Sequence, residues 1–220
     1  MATILFVMTG ADRWTLADGT GHPTGFWAEE AVVPYEAFTA AGHQVVVATP
    51  GGVVPPVDPA SLAPELAPRL EAIKELRSPV SLAEVDPADF DAMFYPGGHG
   101  PMEDLAVDAD SGRLLSAFLA SGKPLGVVCH GPAALLAAVD GDGASPFAGY
   151  RLTGFTNAEE TLAGNAGKAR WLLQDRLTEL GADFVAGEPW TPHVEVDRNL
   201  HTGQNPASSA PLADALLKAL

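Results

Sequence analysis

The sequence predicts an α/β protein in which a mostly parallel sheet is sandwiched between layers of helix. Three observations predict it. Short apolar runs alternate with longer stretches of helical spacing along most of the chain, the pattern left by parallel strands and crossover helices. The runs Thr3–Met8 (TILFVM), Gln44–Thr49 (QVVVAT), Asp91–Tyr95 (DAMFY) and Pro124–Val128 are nearly continuous rather than alternating, as strands covered on both faces are. The last two run straight into turns rich in glycine, Pro96–Gly100 and Cys129–Pro132; ligand sites of open α/β sheets lie at that carboxyl edge.

Taken in order, Thr3–Met8 is the first strand, and a polar, glycine-containing loop follows it through Pro23. Trp27–Ala41 has helical spacing, with Ala28, Ala31, Val32, Tyr35 and Phe38 on one face. Pro34 inside it predicts a kink or break, and Gly42 stops it before the second strand, Gln44–Thr49. From Gly51 to Pro87 the composition shifts to Pro, Ala and Glu, with a helical piece at Ala67–Leu76 too polar for core. This predicts an excursion from the sheet at about 53–87. Helices follow at Ser111–Ser121, ended by Gly122, and at Ala133–Val139 after the fourth strand. Strand-like runs lie at Tyr150–Thr153, Phe184–Val185, His193–Val196 and Asn199–His201, and helices at Ala166–Leu180 and Pro211–Leu220. No repeat and no dividing linker interrupts the 220 residues, so residues 1–220 are expected to form one domain.

Composition removes several function classes. With 28 acidic and 12 basic residues the net charge is −16, which opposes binding to nucleic acid or an anionic membrane. No apolar run approaches the ~18 residues that span a bilayer, and the first residues lack a basic region and cleavage site. One cysteine, Cys129, precludes an internal disulfide and fits a reducing, cytoplasmic setting.

The chemistry points to that cysteine. In Leu125–Pro132 (LGVVCHGP) a buried strand meets a helix with Cys129 at the turn, the geometry of a nucleophile elbow. A lone cysteine is more often a small buried hydrophobe, but the elbow outweighs that reading. A helix following the thiol is expected to lower its pKa by aiming N–H groups at it. Amides of the turn Gly97-Gly98-His99-Gly100 would reach the same edge and suit an oxyanion. Glu29 and Glu30 open a helix near this edge; neighbours on a helix diverge, so one at most enters a pocket. Read alone, Glu159 and Glu160 are a solvated helix start. The six histidines, His22, His43, His99, His130, His193 and His201, show no i, i+4 pair, and no phosphate loop or dinucleotide fingerprint appears. The residues thus point to a cysteine enzyme without metal or cofactor, its reaction left open.

Five ordered segments carry a resemblance: GFWAEEA at Gly25–Ala31 with Pro34, PGGHG at Pro96–Gly100, VVCHGPAAL at Val127–Leu135, LTGFTNAEE at Leu152–Glu160 and NLHTGQNPAS at Asn199–Ser208. The chain resembles the DJ-1/PfpI superfamily, and within it the Hsp31-like, glutathione-independent glyoxalases. The resemblance implies a flavodoxin-like three-layer α/β/α sandwich, in the class I glutamine amidotransferase-like manner. It implies Cys129 as nucleophile, His130 beside it, Glu160 as that histidine's acid and Glu30 as general acid and base. Oxyanion-hole amides would come from Gly98 and His130. The excursion corresponds to a segment shaping the pocket mouth, and the segments that build a metal site in some members are not found. The expected reaction is methylglyoxal and water to lactate, with no cofactor and a small reactive carbonyl as partner, on a chain that related proteins would pair as a homodimer. The alternatives are another cysteine-dependent hydratase, hydrolase or deglycase, or a stress-response holdase chaperone.

Overall fold

The computed structural model describes residues 1–220. Its elements in order are β1 (Thr3–Val7), β2 (Arg13–Thr15), β3 (Gly21–Pro23), α1 (Ala28–Ala40), β4 (Gln44–Thr49), α2 (Ala67–Ala72), β5 (Val80–Ser81) and β6 (Ala92–Tyr95). There follow α3 (Gly100–Glu103), α4 (Ala109–Ser121), β7 (Leu125–Val128), β8 (Arg151–Leu152), α5 (Asn157–Leu162), α6 (Leu173–Glu179), β9 (Asp183–Phe184), β10 (Val194–Asp197), β11 (Leu200–Gly203) and α7 (Ser209–Ala219).

The central sheet runs β10-β11-β7-β6-β1-β4-β5. Every pairing in it is parallel except β10 with β11. The central strands β6 and β7 are buried at every position, which is why their sequences are continuous rather than alternating. Helices cover both faces, giving the expected α/β/α sandwich. Phe6, Phe38 and Phe94 interlock where β1, α1 and β6 meet, with ring centroids 5.1–5.9 Å apart, a spacing that favours tilted and edge-on contacts.

Several local expectations change. Helix α1 passes through Pro34 unbroken; the proline ring is buried, and only the Glu30 carbonyl loses its helical donor. The loop after β1 contains the hairpin β2–β3. The excursion is not separate from the sheet: β5 pairs with β4 and adds an edge, while Ile73 and Leu76 are buried in the core. After Cys129 the chain forms a 3-10 run, Gly131–Ala137, instead of an α-helix. The predicted helix Ala166–Leu180 shortens to α6, because residues 163–171 turn tightly, with the Asn165 carbonyl accepting from Lys168 and Ala169. The runs near Leu152 and Phe184 leave the main sheet and pair with each other as β8 and β9. No helix is long and apolar enough to cross a membrane.

Candidate active site

Strand β7 delivers Cys129 to the carboxyl edge of the sheet. Its N–H donates to the Gly203 carbonyl of β11 (2.9 Å), and its own carbonyl accepts from Phe155 (2.8 Å). Pinned on both sides, Cys129 adopts φ 59°, a left-handed conformation that costs a residue with a Cβ roughly 1–2 kcal/mol. The expected elbow is present, and it lifts the sulfur toward a cavity of about 180 Å³.

Helix α1 supplies Glu30, which is fully buried, whereas its neighbour Glu29 is half-buried. The start of α1 has no cap from its own Trp27. Ser61, in the excursion, does the job: its hydroxyl accepts from the Ala28 N–H at 2.9 Å and donates to the Asp58 carbonyl at 2.7 Å. The excursion thereby fixes the turn that aims Glu30. Glu30 Oε2 accepts from the Gly97 N–H at 2.7 Å, and the buried Oε1 has no hydrogen-bond partner. Residue 97 has to be glycine here, because a Cβ would sit 2.7 Å from Glu30 Oε2 and from the His130 nitrogen.

The Glu30 carboxyl and the Cys129 thiol interact side chain to side chain. Burial, only partly offset by the hydrogen bonds from Cys129 and Gly97, pushes the carboxyl up to about 8. Burial and the adjacent Glu30 also push the thiol well above its ordinary value, although the Gly98 and His130 N–H groups at the sulfur act the other way. The expected lowering of the thiol pKa is thus reversed. Two adjacent buried acids cannot both ionise cheaply, and the 3-10 run behind the cysteine offers less aligned dipole than an α-helix.

On the other side of the sulfur, His130 Nδ1 lies 3.5 Å from Sγ, and Nε2 donates to Glu160 Oε2 at 2.6 Å. Glu160 lies in the first turn of α5, whose N-cap Thr156 forms a capping box with Glu159. Both glutamates are buried, so the solvated reading of this helix start does not hold. A residue that the sequence reading did not single out completes the arrangement: His99 Nε2 donates to Glu160 Oε1 at 2.9 Å. The signal available was its place, a histidine in a glycine turn at the edge where Cys129 emerges. Burial alone would raise the Glu160 carboxyl, but the His130 ring and the hydrogen bonds from both histidines hold it well below the usual range. Burial, then the neighbouring His130, lowers His99.

One ligand atom from each of His99, His130 and Glu160 lies within 4.8 Å of the others, a donor set that chain spacing did not display. Each imidazole directs an N–H at the ionised carboxylate, so a cation would enter only by displacing both protons. The rings belong to an aromatic ladder: Trp14 on His99 at 4.2 Å, His99 on His130 at 4.1 Å, His130 on Phe155 at 4.4 Å and Phe155 on Trp190 at 5.5 Å. The rest of the cavity wall comes from Trp27, from Asp58 and Ala60 of the excursion, and from Asn165 and Pro206. No lysine or arginine lines it.

Residues 23–219 match the DJ-1/PfpI family model. A Bos taurus protein named glutamine amidotransferase-like class 1 domain-containing protein 1 is 34% identical over 182 residues, covering 82% of each chain. A Pseudomonas aeruginosa protein/nucleic acid deglycase HchA is 31% identical, across 99% of this chain and 80% of that protein. Glyoxalase 3 of Candida albicans is 27% identical, across 100% and 98%. A crystal structure of glyoxalase III from Candida albicans, 24% identical, covers 100% of this chain and 97% of that one with a TM-score of 0.84.

Proposed function

Because this chain belongs to the DJ-1/PfpI family and is similar to proteins named as a deglycase and a glyoxalase, we propose that it is a cysteine-dependent enzyme acting on small reactive carbonyls, converting methylglyoxal and water to lactate without glutathione. One observation carries the reading. A single sulfur has the buried Glu30 carboxyl on one side and a His130–Glu160 pair on the other, with the Gly98 and His130 N–H groups favouring its charge.

In this mechanism the Cys129 sulfur adds to the aldehyde carbon, and the thiol proton passes to His130 Nδ1, whose imidazolium Glu160 stabilises. The Gly98 and His130 amides steady the oxyanion, which then takes that proton to give a hemithioacetal. Glu30, after losing its resting proton to solvent, removes the remaining hydrogen from the former aldehyde carbon as a proton. An enediolate results, the hydroxyl proton on the first carbon's oxygen passes to the second carbon's oxygen, and Glu30 returns its proton to the former ketone carbon. The first carbon is now oxidised to a thioester and the second reduced to an alcohol, with no external electron carrier. Water, deprotonated by His130, releases lactate and restores the thiol. A cavity of about 180 Å³ has room for a three-carbon substrate with a water. Its lack of lysine and arginine disfavours a substrate carrying a carboxylate or phosphate.

The test is lactate formation from methylglyoxal in thiol-free buffer. Turnover by the wild-type protein and its loss in Cys129→Ala is the expected result; equal lactate from both would end the proposal. The deglycase name of the 31%-identical relative supports a second reading, in which the substrate is a methylglyoxal adduct of an amine. Release of amine from such an adduct faster than free methylglyoxal is consumed would favour it.

A further inference from the structure

Only three non-glycine residues have a left-handed backbone: Cys129, Trp190 and Arg198. Two of them, Cys129 and Trp190, line the same cavity. At Cys129 the strain serves to present the sulfur. At Trp190 (φ 62°) the elbow explanation does not apply, and a glycine would sit there without cost. Such strain persists only where the surroundings over-determine it.

The surroundings do so through Glu159, a fully buried carboxylate to which the mechanism gives no task. Its Oε1 accepts from the Trp190 N–H at 3.0 Å and from Asn205 Nδ2 at 2.8 Å. Its Oε2 accepts from the Thr156 N–H and hydroxyl at 3.0 and 2.8 Å. Asn205 Nδ2 also donates to the Thr191 carbonyl at 2.8 Å, which holds the residue after Trp190. Both oxygens of one carboxylate therefore lock the Trp190 turn to the start of α5, the helix that carries Glu160. The indole they hold stands edge-on to Phe155, interplanar angle 70°, and is 49% exposed. A large apolar ring kept half in water on a strained backbone serves something other than core packing.

We propose that Trp190 is the specificity wall of the thiol cavity, limiting the size of the group that can accompany a carbonyl to Cys129, and that Glu159 is the positioning residue that holds the wall. The inference deepens the proposed function by naming what restricts its substrate to short-chain 2-oxoaldehydes and turns away aryl ones. It depends on Cys129 being the reacting atom and not on the reaction that follows. A glutamine at 159 has one acceptor oxygen and one amide for two pairs of donors, so Glu159→Gln breaks half of the lock.

The experiment exploits the single cysteine. Alkylation of Cys129 by iodoacetamide and by its N-benzyl derivative is timed by intact mass in the wild-type protein and in Trp190→Gly, Trp190→Phe and Glu159→Gln. The benzyl-to-parent rate ratio should rise at least about tenfold in Trp190→Gly, the scale on which an apolar pocket discriminates. Trp190→Phe should fall between, and Glu159→Gln should raise the ratio with Trp190 itself intact. The phenylglyoxal-to-methylglyoxal ratio of kcat/KM should move in parallel. A wild-type ratio retained in folded Trp190→Gly, judged by circular dichroism, or in Trp190→Phe if the glycine variant does not fold, overturns the wall. A wild-type ratio in Glu159→Gln overturns its positioning role. Lack of turnover with either carbonyl would count against the proposed function, while the alkylation ratio would still judge the wall.

Discussion

Glu30 and Glu160 are two buried glutamates flanking one sulfur, and they rest in opposite charge states. Glu30 has one backbone amide on one oxygen, no hydrogen-bond partner on the other, and a thiol beside it. Glu160 has an imidazole N–H on each oxygen. Burial penalises the ionised form of both. What differs is the supply of donors: one amide does not offset desolvation, and two histidines more than offset it. The pocket thus obtains a proton holder and a fixed negative charge from the same residue type, a division of labour set by environment.

The comparison breaks most visibly if the roles are exchanged by mutation. Glu30→Gln should lower kcat/KM for lactate formation by about 10³-fold, since it removes the base that moves the carbon-bound proton. Glu160→Gln should cost less, on the order of 10²-fold, because His130 remains in place without its charge partner. Equal losses in steady-state assays would mean that the two carboxyls do not divide the work.

The pH profile sharpens the contrast. The reaction needs the Glu30 carboxylate, so kcat/KM should rise as pH increases through about 8. Glu30→Gln should abolish that limb. A profile flat up to about 8 in the wild-type protein would argue against it.

Stability should respond with opposite signs. A carboxyl held up to about 8 keeps its proton when the unfolded chain, with its value near 4.5, has lost it. Stability therefore falls as pH rises from 4.5 toward about 8. At ~1.4 kcal/mol per unit of displacement, Glu30→Gln should stabilise the fold by a few kcal/mol at the upper end and by little at the lower. Glu160, displaced downward from 4.5, contributes stability above 4.5 that is lost as pH falls below it. Glu160→Gln should therefore destabilise at neutral pH and less so in acid. Denaturant titrations across the range would read both signs.

The smallest effect concerns how Glu30 is aimed. Ser61→Ala removes the hydroxyl that caps α1 from outside and should cost ~1 kcal/mol of unfolding free energy. Activity should fall less than in Glu30→Gln, with the pH limb retained.

The two glutamates were not equally legible. The elbow could be read locally, because strand, cysteine and glycine-flanked turn are consecutive. One of Glu29 and Glu30 could be placed near it, because both open a helix at the same edge; the choice of Glu30 came from the resemblance. Glu160 came from the resemblance alone: the residues around it read as a solvated helix start, and the partners that bury it, His99 and His130, lie 61 and 30 positions away. Trp190 gave no signal, since an isolated tryptophan in a loop has no period, and its wall is built by Glu159 and Asn205 at long range. The hairpin β2–β3 had a local cue in Asp18-Gly19, whose glycine has φ 83°, the turn chemistry hairpins use. The thiol pKa runs against the sequence expectation because the helix dipole is visible in a sequence and desolvation is not.

Infrared difference spectroscopy tests the proton-holding role of Glu30 most directly. Spectra taken below and above pH 8 should show a protonated-carboxyl carbonyl band that disappears on the alkaline side and is absent from Glu30→Gln, while Glu160→Gln leaves it in place. No such band in the wild-type protein on the acid side of 8 but above the ordinary carboxylate range, or a band that survives in Glu30→Gln, would contradict the account.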